Sequence, residues 1–570
     1  MPGEHDYGAM LHKRSVQKAG QIFINKIKAM KKNILLIVIL AAFLFPCGVN
    51  AQDSPQEKGL EVITLDAIKA QLEFLASDWT EGREAGKKGI FMAGDYVASM
   101  FKFSGVPGGG DMGRSRFRSM SGRRGAPAQA QRTYFQNFTL LETLPGASSS
   151  LSVKVGEKEY PFQENIDYSL RATSTAKVSG EAVFVGYGIV SDEFGIDELS
   201  GARLDGKVVV RLAGLPGMGD ENSPLAQKLM EDRMAAYYLM RSRDNMLEEM
   251  GALAVIEVSP GGNVNMPGVY LDDMDMSPNE SSRNSEFTRL RLDEEGLSAG
   301  MVTLSAGPSL TEALLKDSKV DIEKYAKDAA KNIGKSKPVT LSGTRVELST
   351  EVEKRRVNVR NVIGMIEGKK KDEFVVIGAH MDHMGMSGGR IWNGADDNAS
   401  GTVGVMTIAQ AFAATGIQPE RTVIFCAWTG EEKGLLGSEY FTRNPTYSSM
   451  DMCKFYINFD MIARNSGREG EEMNVGLTYN SNYPEIEEMC RKNVEEYGLE
   501  MDYQYRGQEA PRGGSDYTAF TANGVPIIAF MAAMHPDYHT PNDHVEYVNW
   551  DKMLDIIKLG FLNLWEVANQ

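Results

Sequence analysis

Apolar positions recur every three or four residues in LDAIKAQLEFLAS, Leu65 to Ser77, where Ile68, Leu72 and Leu75 fall on one face and predict an amphipathic helix. From about residue 355 the texture is different. EFVVIGAH (373–380), TVIFCAW (422–428), KFYINFD (454–460) and PIIAFM (526–531) are apolar without alternation, and helical stretches such as GTVGVMTIAQAFA (401–413) separate them. Strands of that kind are buried on both faces, which predicts an α/β fold with a mostly parallel central sheet flanked by helices. Between about 145 and 345 the runs are shorter and broken by glycine, as in EAVFVGYGIV, GKVVVRLAG and GALAVIEV. They predict a separate, compact, β-rich domain. That stretch holds no histidine or cysteine, so it is assigned shape and access and the chemistry is sought elsewhere.

Residues 104–131, SGVPGGGDMGRSRFRSMSGRRGAPAQAQ, carry almost no apolar content. A segment that cannot bury enough area to offset its ordering entropy is expected as a mobile surface loop. Near the N-terminus, Met30-Lys31-Lys32 leads into NILLIVILAAFLF, which closes on Val49-Asn50-Ala51. About 13 apolar residues are too few for a bilayer that needs about 20. The segment, about 30–51, therefore reads as a secretory signal peptide and not a spanning helix, and predicts a secreted or periplasmic protein with no membrane span after cleavage. Residues 1–29 precede this natural-looking start as an upstream extension. Cys47 follows Leu44-Phe45-Pro46 in the manner of a lipoprotein acylation site, but proline replaces the small residue expected there, and lipid anchoring is the lesser reading.

At 570 residues the chain should form more than one domain. The net charge of −16 argues against a polyanion-binding surface, so nucleic acid is not an expected partner. Cys426, Cys453 and Cys490 form no CxxC pair and imply no disulfide framework, although one bridge stays open and at least one thiol should be free.

The chain has only seven histidines, and apart from His5 and His12 all lie in the last third: His380, His383, His535, His539 and His544. Polar residues able to bind a metal stand where the apolar runs stop: His380 after the first, Glu431 and Glu432 soon after the second, Asp460 at the end of the third. NGADDNASG (393–401) adds Asp396 and Asp397, and DYHTPNDH (537–544) adds Tyr538 and His539. In open α/β sheets ligands bind beyond the carboxyl ends of the strands, so these residues should converge. Each alone has a structural reading, as a helix cap, a strand-end cap, a turn histidine or a solvated acidic pair. Together, hard oxygen and imidazole donors without thiolate suit a catalytic divalent cation such as Zn²⁺. Five candidate ligands and a spare glutamate suit two ions better than one.

The set AHMDHMG, GADDNASG, TGEEKGLLGS, NFDMI and YHTPNDH, in this order, resembles the co-catalytic zinc aminopeptidase family, whose relatives include glutamate carboxypeptidase and the transferrin receptor ectodomain. The likeness covers about 355 to 570, and LASDWTEGREAGKKG (75–89) is similar to the family's N-terminal helical segment. VFVGYGI and LDGKVVV resemble the protease-associated domain often inserted in such enzymes. The resemblance implies a zinc exopeptidase fold divided as 1–51 (extension and signal), 52–144 (N-terminal part of the peptidase domain), 145–345 (insertion) and 346–570 (catalytic domain).

By the same resemblance His380 and Asp460 would hold one zinc, Glu432 and His539 the other, and Asp397 would bridge both. Asp382 would accept the second N–H of the His380 ring, Glu431 would be the general base, and Tyr538 would donate to the developing oxyanion. His383 has no implied role, and a neutral position behind the ligands or in packing is expected for it. The activity implied is that of an aminopeptidase acting on peptide substrates. A carboxypeptidase of the glutamate-releasing kind, a one-zinc glutaminyl cyclase and a receptor-like binding module are the alternatives left open. Terminal-residue preference and oligomeric state are not readable.

Overall fold

The computed structural model describes residues 54–113, 131–171, 174–192, 194–217, 223–231, 233–260, 289–293, 301–331 and 336–570. The signal-like segment, Cys47 and residues 114–130 of the Gly/Arg-rich stretch lie outside them. Lys58–Gln570 forms one compact unit. In the other, Met1–Glu57, the described part is 54–57, where Ser54 N–H donates to the Glu57 carboxylate at 2.5 Å.

The predicted amphipathic helix is α1 (Leu65–Leu75), started by the Thr64 hydroxyl, which accepts the Ala67 N–H at 3.4 Å. Ile68, Leu72 and Leu75 are fully buried on its inner face. Helix α2 (Lys88–Phe103) follows, then the long strand β1 (Phe135–Val155). Residues 104–113, expected to be loop, are in part tied down: Gly109 N–H donates to Ile363 O and Gly110 N–H to Thr133 O.

Short strands come next, among them β2 (Tyr168–Arg171), β3 (Ala176–Phe184), β4 (Val208–Leu212), β5 (Ala254–Val258) and β6 (Val302–Ala306). The 28-residue strand β7 (Val339–Ile366) returns to the rest of the unit. Thereafter the chain alternates: β8 (Lys370–His380), α3 (Gly401–Ala414), β9 (Arg421–Trp428), α4 (Leu436–Arg443), β10 (Cys453–Phe459), β11 (Asn474–Asn480), α5 (Glu485–Tyr497), β12 (Asp502–Gln508), β13 (Ile527–Met531) and α6 (Trp550–Asn569).

These strands share one sheet in the order β12-β11-β13-β10-β8-β9-β7-β3-β4-β5-β6-β2, with β1 paired to β7. The centre is parallel: β8 lies between β9 and β10 with both in parallel register, and β10 is parallel to β13. Unbroken apolar runs are explained by what each face meets. Val375 and Ile377 of β8 pack with α1, α2, α3 and α6, while the alternate residues Phe374 and Val376 pack with Trp428, Phe441 and Phe520 on the other side. Burying each such side chain contributes roughly 1.5–3 kcal/mol, and only apolar residues on both faces gain it twice per pleat.

The expected domain edges at 145 and 345 fall inside β1 and β7, which pair antiparallel from Phe135↔Val362 to Val155↔Thr344. The inserted region thus grows out of the sheet as a two-stranded ribbon and is not hung from a linker. It keeps a core cluster of its own, including Leu151, Val153, Val208, Val210, Ile256 and Leu304. Cys426, Cys453 and Cys490 are free and buried. Among the described residues no helix is long and apolar enough to cross a membrane.

Candidate metal and catalytic site

The carboxyl ends of β8, β9, β10 and β13 deliver the polar residues to one place. His380 is the last residue of β8, Asp460 follows β10, and Glu431 and Glu432 stand three and four residues past β9. His539 lies on the loop after β13 with φ +55°, and Met461, next to Asp460, has φ +57°. Non-glycine residues in the left-handed region are uncommon and cluster where a site fixes the backbone.

The loop between β8 and α3 is held from several sides. Gly394 has φ +55° and an added Cβ there would meet Asp397 O at 2.1 Å, so only glycine fits the turn. The main-chain N–H groups of Asp396 and Asp397 both donate to Asp543 Oδ2 at 3.0 Å. Asn398 Nδ2 donates to Phe459 O at 2.9 Å, which ties the loop to the end of β10, and the Asp397–Asn398 peptide is cis. The neighbouring aspartates then part. Asp396 Oδ1 accepts the Ala463 N–H at 2.7 Å and its Oδ2 faces His535 Nε2 at 3.3 Å, whereas Asp397 faces the cluster of histidines and acids.

Asp397 divides its two oxygens. Oδ1 is 3.4 Å from His380 Nε2, which is also 3.4 Å from Asp460 Oδ1. Oδ2 is 3.1 Å from His539 Nε2, which is also 3.1 Å from Glu432 Oε2. Ligand atoms about 2.0–2.2 Å from a tetrahedral ion stand roughly 3.3–3.5 Å apart. The two sets therefore have spacings close to those of co-ligands around two cations. His380, Asp397 and Asp460, and separately His383, Asp397 and Glu432, present donor atoms that lie within 4.8 Å of one another.

The electrostatics are those of acids and imidazoles packed out of water. Burial opposes charge on His380, but Asp460, Glu431 and Asp397 outweigh it and raise its pKa well above the ordinary value. His539 is raised in the same way by Glu432 and Asp397. Burial would lift Glu432 too, yet His539 and His383 hold it well below the usual carboxylate range. Glu431 differs: burial, reinforced by Glu432 and Asp460 and only partly offset by His380, pushes it well above that range. The adjacent glutamates also diverge in exposure, the Glu431 side chain being 15% accessible and that of Glu432 4%. Tyr538 stacks on His539, with ring centroids 3.8 Å apart, and burial with the nearby acids raises its hydroxyl well above 10.

Asp382 is arranged differently from expectation. His380 Nδ1 lies 3.1 Å from the main-chain carbonyl of Asp382 and 4.0 Å from its carboxylate, so the carbonyl takes the ring N–H. The carboxylate accepts the Glu431 N–H at 3.2 Å instead, and burial lifts it to about 6 against the pull of His380.

Sequence reasoning passed over four residues here. Arg83, fully buried, donates to four carbonyls: Met381 at 2.9 Å, Leu75 at 2.6 Å, Asn393 at 2.7 Å and Gly394 at 2.8 Å. It ties the segment after α1 to two points on the loop between β8 and α3, one beside His380 and one just before Asp397. Asp516 is buried near His380 and Asp460, and desolvation pushes it up to about 7. Asp543 and His383 are the others. The one available signal was placement: Arg83 and Asp543 both lie within stretches already singled out.

The model of peptidase family M28 matches residues 361–561. The M28 segment runs from β7 into α6 and contains every candidate ligand, while Arg83 lies outside it. The chain is 33% identical over 170 residues to leucine aminopeptidase 2 of Trichophyton equinum, an alignment covering 29% of this chain and 32% of that protein. It is 29% identical over 181 residues to a probable leucine aminopeptidase 2 of Aspergillus oryzae, covering 32% and 35%. The chain thus spans about a third of the length of the curated relatives it matches. An aminopeptidase from Aneurinibacillus sp. strain AM-1 has the same fold over 90% of this chain and 96% of that one, with a TM-score of 0.53 and 16% identity.

Proposed function

We propose that the protein is a secreted, zinc-dependent exopeptidase, an aminopeptidase that removes N-terminal residues from peptides. The observation that carries the reading is the division of Asp397, with one oxygen turned to His380 and Asp460 and the other to His539 and Glu432. A carboxylate shared between two such sets, without thiolate, fits a pair of zinc ions, with His380, Asp460 and Asp397 on one and Glu432, His539 and Asp397 on the other. When bound, the ions supply Lewis acidity toward a water and the scissile carbonyl.

The remaining steps belong to the chain. Glu431, the more accessible of the two glutamates, takes the proton of the attacking water and passes it to the departing amine, a transfer that contributes typically 10²–10⁴-fold. Burial raises its pKa in the ion-free chain, and cations held beside it would favour the ionised form that the first half of that role requires. Tyr538, kept neutral by its surroundings, can donate its O–H to the oxyanion. Asp382 holds the Glu431 main chain and Arg83 holds the loop between β8 and α3, so both act through their neighbours. The β-rich insertion, similar in sequence to a protease-associated domain, would limit which substrates reach the site.

The test is hydrolysis of aminoacyl chromogenic substrates against N-blocked peptides, with and without chelator. Chelator-sensitive cleavage of the free-amine substrates is expected. Cleavage confined to blocked peptides with a free C-terminus would replace the aminopeptidase reading by the carboxypeptidase one.

A further inference from the structure

We infer that His383 is a positioning residue for Glu432: its Nδ1–H fixes one carboxylate oxygen so that the other is presented to the cation shared with His539 and Asp397. The inference rests on the two-ion reading above.

His383 lies three residues past the end of β8, and its side chain is fully buried. Nδ1 is 2.8 Å from Glu432 Oε1, in hydrogen-bond alignment, and 3.7 Å from Asp397 Oδ2. An ionised carboxylate only accepts, so a nitrogen 2.8 Å away must carry the proton. The opposite tautomer would set two lone pairs against each other and bury an N–H without an acceptor, since His383 Nε2 has no partner. The 2.8 Å separation is an ordinary hydrogen-bond length and is shorter than the 3.1–3.4 Å contacts among the candidate ligands.

The ring has little freedom to leave this position. A Cβ on Gly394 would meet its Cγ and Cδ2 at 2.5 Å, so the absence of a side chain at 394 makes room for it. The ring of His539 packs edge-on at 5.8 Å between centroids, and the His383 main-chain N–H reaches Arg83 O at 3.3 Å. Glu432 Oε2, the oxygen His383 does not hold, is the one 3.1 Å from His539 Nε2. Orienting a ligand carboxylate from outside the ligand set typically changes metal affinity 10- to 100-fold.

The test compares His383→Leu, which fills the space without a donor, with His383→Asn, whose amide N–H can replace Nδ1–H. Zinc affinity of the full chain is measured by competition with a chromogenic chelator, and imidazole ligands are counted by zinc X-ray absorption at saturating metal. His383→Leu should weaken one of two sites about 10- to 100-fold and leave the other unchanged, with the imidazole count as in wild type. His383→Asn should restore affinity to within a few-fold. Equal loss in both variants, or no loss in either, would overturn the inference; so would a fall in imidazole count, which would make His383 a ligand itself. If His383→Leu does not fold, a loss beyond tenfold in His383→Asn is still decisive against it. Wild-type protein that takes up no zinc would defeat the metallopeptidase reading before any variant is made.

Discussion

Replacing Asp543 by asparagine should weaken both cation sites at once, although Asp543 faces neither. Its Oδ2 accepts the N–H of Asp396 and of Asp397 at 3.0 Å each, within a fully buried pocket. A hydrogen bond to a charged acceptor contributes about 1.5–3 kcal/mol and one to a neutral acceptor about 0.5–1.5. The carboxamide keeps the shape but loses the charge, about 1–1.5 kcal/mol per bond and about 2–3 kcal/mol for the pair. Arg464 does not lose its only partner, since its Nη2 also reaches Asp537 at 2.6 Å. If that energy is what holds the Asp397 carboxylate between the two ligand sets, affinity falls by about 30- to 140-fold at most, at 1.4 kcal/mol per tenfold. Zinc titration against a competing chelator reads both sites in one experiment. The reasoning fails if Asp543→Asn weakens only one site, or neither, while chelator-treated protein keeps its fold by circular dichroism.

Other substitutions separate roles that the sequence leaves adjacent. Glu431→Gln should keep both ions and lower kcat by about 10²-fold or more, while Glu432→Gln should lose one ion; metal analysis beside steady-state kinetics decides, and the reverse pattern exchanges the two roles. Gly394→Ala should abolish zinc binding, because a Cβ there meets Asp397 O at 2.1 Å on a backbone with φ +55°; uptake at wild-type affinity would refute it. In ion-free protein the His380 and His539 pKa values are raised above 6.5, so their contribution to stability is full below 6.5 and lost as pH rises through the raised values. The Glu432 pKa is depressed below 4.5, so its contribution is present above 4.5 and lost as pH falls through the lowered value. Chelator-treated protein should therefore melt highest between about pH 4.5 and 6.5 as far as this cluster decides. Zinc uptake near neutrality should release protons from the imidazoles, giving calorimetric heats that depend on the buffer's ionisation enthalpy; buffer-independent heats would contradict it.

The α/β architecture was legible because strands buried on both faces cannot alternate, and β8, β9, β10 and β13 each announce themselves as apolar runs, β8 ending in His380 and β10 running into Asp460. The same rule hid the insertion's edges. In β7 buried and exposed positions alternate from Thr344 to Leu348, and the strand becomes continuously buried only from Asn361 to Met365, where it enters the sheet beside β9. The texture change near residue 355 marks that entry and not a domain boundary. Residue type and strand-end position singled out the candidate residues, the family resemblance chose five of them as ligands, and in the structure those five lie near one another. What escaped depends on direction. Asp382 was expected to orient His380 and its neighbour His383 had no assigned role, but the Asp382 carboxylate meets Glu431 N–H and His383 Nδ1 meets Glu432. Arg83 binds only carbonyls, and a residue that contacts main chain leaves no partner pattern in the sequence.

The central claim is that Asp397 joins two cations, one through each oxygen. Anomalous diffraction at the zinc edge from zinc-loaded crystals tests it directly. Two peaks about 3.5–4 Å apart are expected, one against His380 and Asp460, the other against Glu432 and His539, with Asp397 between them. A single peak at saturating zinc, or two peaks of which Asp397 touches only one, would contradict the account.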